Sequence, residues 1–130
     1  MPGSETRRLS IFIIDIDGTI CESIPNELGV EKMRHAKPYN DSIRMINKLY
    51  DDGNFVCFFT ARTDEHLAVT KEWLKKHGVK YHSLIMNKPR KLPPYHGYHF
   101  IDDAHVKATT FKGKFTTFVK KNVEIEVFED

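Results

Sequence analysis

The chain has 130 residues, 40% of them apolar and 29% charged, which suits one globular domain and excludes a disordered chain. Its net charge is only +2, from 20 basic against 18 acidic residues, so nothing global draws it to nucleic acid or membrane. The two cysteines, Cys21 and Cys57, lie in or beside apolar runs and read as reduced, small apolar residues of a cytoplasmic protein.

Residues 1–9 are charged and are followed by too few apolar residues for a signal peptide or membrane span, so they are expected to form a mobile tail. Ile11 to Ile14 then form an unbroken apolar run, a buried strand that delivers Asp15 and Asp17 into a turn opened by Gly18 and Thr19. Neighbouring carboxylates repel each other and lose solvation there, so a cation, a shared proton or a reaction has to use them. The plainer alternative is an Asx-type turn, in which aspartate bonds nearby backbone.

Residues 20–37 have no sustained periodicity and contain Pro25, Asn26 and Gly29 as breakers. They read as a short flap over the aspartates, with room for a hairpin around Ile24 to Asn26. From Pro38 the apolar positions Ile43, Ile46 and Leu49 predict a helix capped by Asn40 or Asp41 and closed by Gly53. Asn54 to Thr60 predicts a second central strand, and a strand apolar on both faces implies helices above and below a parallel sheet. Thr63 or Asp64 caps the next helix, which runs through Leu67, Val69, Trp73 and Leu74 to His77-Gly78. Further strands are predicted at about His82 to Met86, Tyr98 to Ile101 and Lys114 to Val119. Val123 to Phe128 alternates as an edge strand or subunit contact would.

This order is that of an open α/β sheet, and in such sheets ligands bind at the carboxyl ends of the strands. The first four predicted strands end at Asp15 and Asp17, at Thr60, at Lys88, and at Asp102 and Asp103. The ordered set D-I-D-G-T, F-F-T-A-R, N-K-P and I-D-D resembles the haloacid dehalogenase superfamily in its phosphatase form, over about residues 10 to 105. The run from F-F-T-A-R through W-L-K-K-H-G-V looks closest to small phosphatases of capsule or surface-polysaccharide synthesis.

The resemblance implies an open Rossmann-like, mostly parallel sheet of about five strands flanked by helices, in a single domain spanning residues 10–130. The gaps between motifs leave no room for a cap domain, so the site is expected to be open or roofed by another subunit. A phosphate monoester dianion resists an anionic nucleophile unless local positive charge offsets the repulsion. By resemblance Asp15 is the nucleophile that forms an aspartyl-phosphate, and Asp17 carries a proton to and from the leaving oxygen. Mg²⁺ is the implied cofactor, held by Asp15, the Asp17 main-chain carbonyl and Asp102 or Asp103. Thr60 is expected to bond a phosphoryl oxygen, and Lys88 to neutralise the transferring group.

The plainer readings make Thr60 a cap, Lys88 a solvated loop lysine and Asp102-Asp103 the N-cap of a short helix toward Thr110. Gly18, Thr19, Ala61, Arg62, Arg34 and His35 are candidates for substrate binding. Arg62 could equally pair with Asp64 or Glu65 at the surface, and Lys32, Arg34, Arg62 and Arg90 could form a cationic rim. The seven histidines lack zinc spacing. These residues favour a Mg²⁺-dependent phosphomonoesterase on a phosphorylated sugar or related small metabolite, with homo-oligomerisation allowed and no membrane or extended nucleic-acid contact. The alternatives are a nucleotide or polynucleotide end phosphatase and, outside enzymes, a phospho-accepting regulatory domain.

Overall fold

The computed structural model describes residues 9–90, 93, 94, 97, 99, 101–104, 106–109 and 122–125. Its centre is a three-stranded parallel sheet of β1 (Ile11–Ile14), β2 (Phe55–Phe59) and β3 (Ser83–Ile85), in the order β1-β2-β3. Ile14 stands opposite Phe58, and Phe59 opposite Ile85, so the three carboxyl ends lie side by side. Three helices flank the sheet: α1 (Gly29–Arg34), α2 (Asn40–Asp51) and α3 (Leu67–Lys76). None of the described helices is long and apolar enough to cross a membrane.

The core forms where alternate strand residues meet the apolar stripes of these helices. Ile14, Val56 and Phe58 pack with Met33 of α1, Ile46 of α2, and Val69, Trp73 and Leu74 of α3. Each such side chain removed from water contributes about 1.5–3 kcal/mol. On the opposite face Ile11, Ile13, Phe55 and Ile85 are exposed. Both cysteines are free and buried, and burial, followed by the charge of Asp17, pushes the Cys21 thiol up to about 12.

Helix boundaries follow the sequence closely, but the expected cap of α2 differs. Tyr39 precedes α2 and makes no side-chain cap, while Asn40 and Asp41 lie inside the helix. Before α3, Asp64–His66 forms a 3-10 turn, and Thr63 and His66 close a reciprocal capping box.

The flap is not a hairpin around Ile24 to Asn26. Its two stems pair at Cys21 and Pro38, with Glu22 N–H donating to Lys37 O and Tyr39 N–H to Ile20 O. Between them lie the 3-10 turn Asn26–Leu28 and α1. Ile20, Ile24, Met33 and Ala36 are buried, and the Trp73 indole donates to Ala36 O at 2.9 Å. The breakers end regular structure without detaching the segment, because these apolar side chains seat it in the core.

The remaining strands also differ from expectation. β4 (Val106–Thr109) stands where a short helix toward Thr110 was considered, and it pairs antiparallel with β5 (Asn122–Ile125) in a separate two-stranded ladder. β5 therefore has a partner within the chain, through the alternation that suggested an edge. His99 and Ile101 are in no strand, and the rest of the Tyr98 to Ile101 prediction, except these two, lies outside the described residues. The Lys114 to Val119 prediction and the tail up to residue 8 lie outside them as well.

Candidate active site

At the carboxyl ends of the sheet is a cavity of about 440 Å³. Asp15 and Asp17 after β1, Ala61 and Arg62 after β2, and Lys88 and Arg90 after β3 contribute to its wall, and Ser23 to Asn26 of the flap close one side. Parallel pairing puts all three loops at one end, which is why residues distant in sequence share the cavity.

Asp15 is 41% exposed, and its Oδ1 accepts the Ile16 N–H at 2.8 Å. The Lys88 ammonium lies 3.4 Å from the same oxygen and 5.8 Å from the centroid of the Phe59 ring. The chain reaches Lys88 through Asn87, whose φ of +67° is left-handed, a conformation asparagine tolerates better than most residues. Asn87 is pinned there by its N–H to Arg62 O at 2.8 Å and by its side-chain amide to Asp64 at 2.7 Å.

Asp17 is held differently. Arg62 Nε donates to its Oδ2 at 3.0 Å and Arg62 Nη2 to its Oδ1 at 2.9 Å, a two-pronged guanidinium fork. Oδ1 also accepts the Ile24 N–H at 3.2 Å. Arg62 is only 2% exposed, and its Nη1 donates to the Thr70 hydroxyl of α3 at 3.0 Å. It neither pairs with Asp64 or Glu65 nor stands on an open rim. The burial of Thr70 on α3 supplied the partner that the local sequence around Arg62 did not reveal.

Several candidates have local structural duties. Gly18 adopts φ of +80°, and its N–H donates to Cys21 O, while Thr19 N–H donates to Ile16 O. Both amides are committed to the turn. Thr60 is fully buried; its hydroxyl oxygen accepts the Arg62 N–H at 3.1 Å and its carbonyl accepts the Lys88 N–H. It ties the second loop to the third. Ala61 lines the cavity, and its carbonyl accepts from the Asn26 amide at 3.1 Å. Arg34 pairs with Glu72 and Glu31, and the exposed His35 lies 3.7 Å from Glu31, so neither contributes to the cavity wall. Of the proposed cationic rim, Arg90 lines the cavity.

Asp102 and Asp103 are exposed and are absent from the wall of the cavity. The Asp102 carboxyl is held below its ordinary range by hydrogen bonding with the Asp103 side chain, then by the Ala104 and Asp103 N–H groups. Among the described residues, no group of three or more His, Cys, Asp or Glu is placed to hold a metal ion. The cavity does offer one exposed hard-oxygen donor, the Asp15 carboxylate, which suits a divalent cation. Sequence reasoning missed Asn26 and Ser23 as wall residues, because no spacing rule predicts which part of an aperiodic flap turns inward.

No family model matches the chain, and no curated protein matches it. Among solved structures, a crystal structure of a protein from Vibrio cholerae aligns with a TM-score of 0.57 at 24% identity, covering 73% of this chain and 80% of that one. A chain in the structure of the Pnkp1/Rnl/Hen1 complex aligns with a TM-score of 0.54 at 19% identity, covering 71% of this chain and 31% of that one. At these identities the likeness is one of fold, the parallel α/β sheet and its flanking helices.

Proposed function

We propose that the protein is a phosphomonoesterase of the haloacid dehalogenase type, acting through an aspartyl-phosphate on Asp15. The observation that carries this reading is the Asp15 carboxylate on the cavity wall with the Lys88 ammonium 3.4 Å away. A carboxylate nucleophile needs exposure to its substrate and a cation to offset the charge of a phosphate dianion.

In the first step an Asp15 oxygen attacks phosphorus, the bond from phosphorus to the ester oxygen breaks, and Asp17 gives the departing oxygen its proton. In the second step Asp17 takes a proton from water as that water attacks phosphorus and the acyl-phosphate bond breaks. Arg62 fixes where this happens. Among the described residues Oδ1 of Asp17 accepts from two donors and Oδ2 from one, so Oδ2 keeps the lone pair on which the travelling proton can sit. Arg62 is thus a positioning residue rather than a substrate ligand, and Lys88 with Arg90 supplies the charge that meets the phosphoryl oxygens.

Mg²⁺ remains the proposed cofactor. Asp15 and the Asp17 main-chain carbonyl would hold it, and its role would be to offset charge on the phosphoryl group; Asp102 and Asp103 do not line that cavity.

Phosphate release from a panel of sugar phosphates and nucleotides, with and without Mg²⁺, tests the reading. Wild-type protein should turn over at least one ester only with the metal, and Asp15→Asn should lose more than about 10³-fold in kcat. Equal turnover by the variant would remove the mechanism.

A further inference from the structure

A second cavity, of about 540 Å³, adjoins the first: both are lined by Asn26, and Thr63 of the second directly follows Arg62 of the first. One side is formed by Asn26, Glu27, Gly29 and Val30 of the flap, and the other by Thr63, Glu65 and His66 ahead of α3. Its size falls within the range of small-molecule pockets. The two cavities differ in chemistry. The first carries Lys88 and Arg90, whereas the described residues lining the second include no lysine, arginine, phenylalanine, tyrosine or tryptophan.

The polar groups of the second cavity are held in place before any ligand arrives. Asn26 donates to Ala61 O, and the Thr63 hydroxyl donates to Glu65 at 3.1 Å. His66 is only 3% exposed, and its Nδ1 accepts the Thr63 N–H at 3.2 Å. A nitrogen that accepts this proton cannot carry its own, so the neutral ring bears hydrogen on Nε2. That Nε2 has no partner among the described residues, and the ring lies on the cavity wall. Among the described residues no buried side-chain nitrogen or oxygen lacks a partner, so Nε2 is open to water in the cavity, and a ligand hydroxyl can take that water's place.

We propose that the second cavity, lined by Asn26, Thr63, Glu65 and His66, binds the hydroxyl groups of a sugar or polyol whose phosphate occupies the first cavity. Carboxylate and amide oxygens accept from hydroxyls, His66 Nε2 donates to one, and Val30 offers an apolar surface to the carbon face. Glu27 and Glu65 repel a second phosphate, and the described lining has no phenylalanine, tyrosine or tryptophan on which a nucleobase could stack. The selected substrate class is therefore a monophosphate with an uncharged, hydroxyl-rich leaving group. This inference rests on the phosphatase reading for its catalytic consequence.

The test compares full-length wild type, Glu65→Gln and Glu27→Gln, with Mg²⁺, on hexose monophosphates, a hexose bisphosphate, propyl phosphate and p-nitrophenyl phosphate. At least one variant should lose about tenfold in kcat/KM on the preferred hexose monophosphate, while both keep wild-type rates on propyl and p-nitrophenyl phosphate. Wild type should favour the monophosphate over the bisphosphate. Equal losses on all esters, no loss on any, or equal use of the bisphosphate would overturn the proposal. If no ester is hydrolysed, the phosphatase reading fails, and calorimetric binding of the same hexose monophosphates decides for the subsite. Binding weakened about tenfold by either variant upholds it, and absent or unchanged binding overturns it.

Discussion

Asp15 and Asp17 are two residues apart in one turn, yet they belong to walls of opposite character. Asp17, Arg62 and Thr70 form a buried wall: the guanidinium is 2% exposed, the carboxylate 19%, and the prongs are 2.9 and 3.0 Å long. Asp15 and Lys88 form a more open one, with the carboxylate 41% exposed and the ammonium 3.4 Å from it. The same pairing of acid and base does different physical work in each. A desolvated fork fixes geometry permanently, because breaking it strands a charge. The Lys88 side chain is 18% exposed but its partner carboxylate is 41% exposed, so water already competes for that contact and it yields more easily to an incoming anion.

Substitutions can break this contrast, and the largest effect on stability is expected at the buried wall. Arg62→Ala should cost about 3 kcal/mol in denaturant unfolding, the lower end for a buried pair, since Asp17 keeps some contact with water. Arg62→Lys should recover part of the stability but not the two-pronged geometry, and so leave kcat reduced. A loss under about 1 kcal/mol for the alanine variant would make the two walls equivalent.

The flap belongs to the buried wall, since Ile24 supplies an N–H to Asp17 and Trp73 holds the far end at Ala36. Trp73→Phe keeps a ring in the core but leaves the Ala36 carbonyl without its indole donor. Urea titration should show a cost of about 1–3 kcal/mol, and an unchanged midpoint would mean that packing alone seats the flap. At the open wall, Lys88→Ala should change stability by less than about 1 kcal/mol. The same variant should lower kcat by about 10²–10³-fold, so thermal melts and phosphate-release assays should part company at this residue.

The smallest effect is at His77, whose ring packs tilted against Trp73 with centroids 4.2 Å apart. Burial, then the charge of Lys76, lowers its imidazole below the ordinary value of 6.5. The unfolded chain therefore binds this proton more readily than the folded one. Its contribution to stability is complete above the ordinary value and is lost as pH falls through it toward the folded value. His77→Gln should flatten the stability profile in that window, and an identical slope would assign the pH dependence to other groups.

By itself the sequence determined the parts that repeat with a period or end a run. Continuous apolar runs marked β1 and β2, helical spacing marked α2 and α3, and the ends of β1 and β3 delivered Asp15, Asp17 and Lys88 to one cavity. Local chemistry is enough there, because apolar patterning and backbone geometry act over a few residues. What Arg62 touches, which flap residues turn inward, and how His66 faces a second cavity were decided only by tertiary structure. Each depends on a partner far along the chain or on another element: Asp17 is 45 residues from Arg62, and Asn26 is 35 from Ala61. Burial sets these partnerships. A side chain removed from water must find its charge or hydrogen bond wherever the packed elements bring one, at separations that no local pattern encodes.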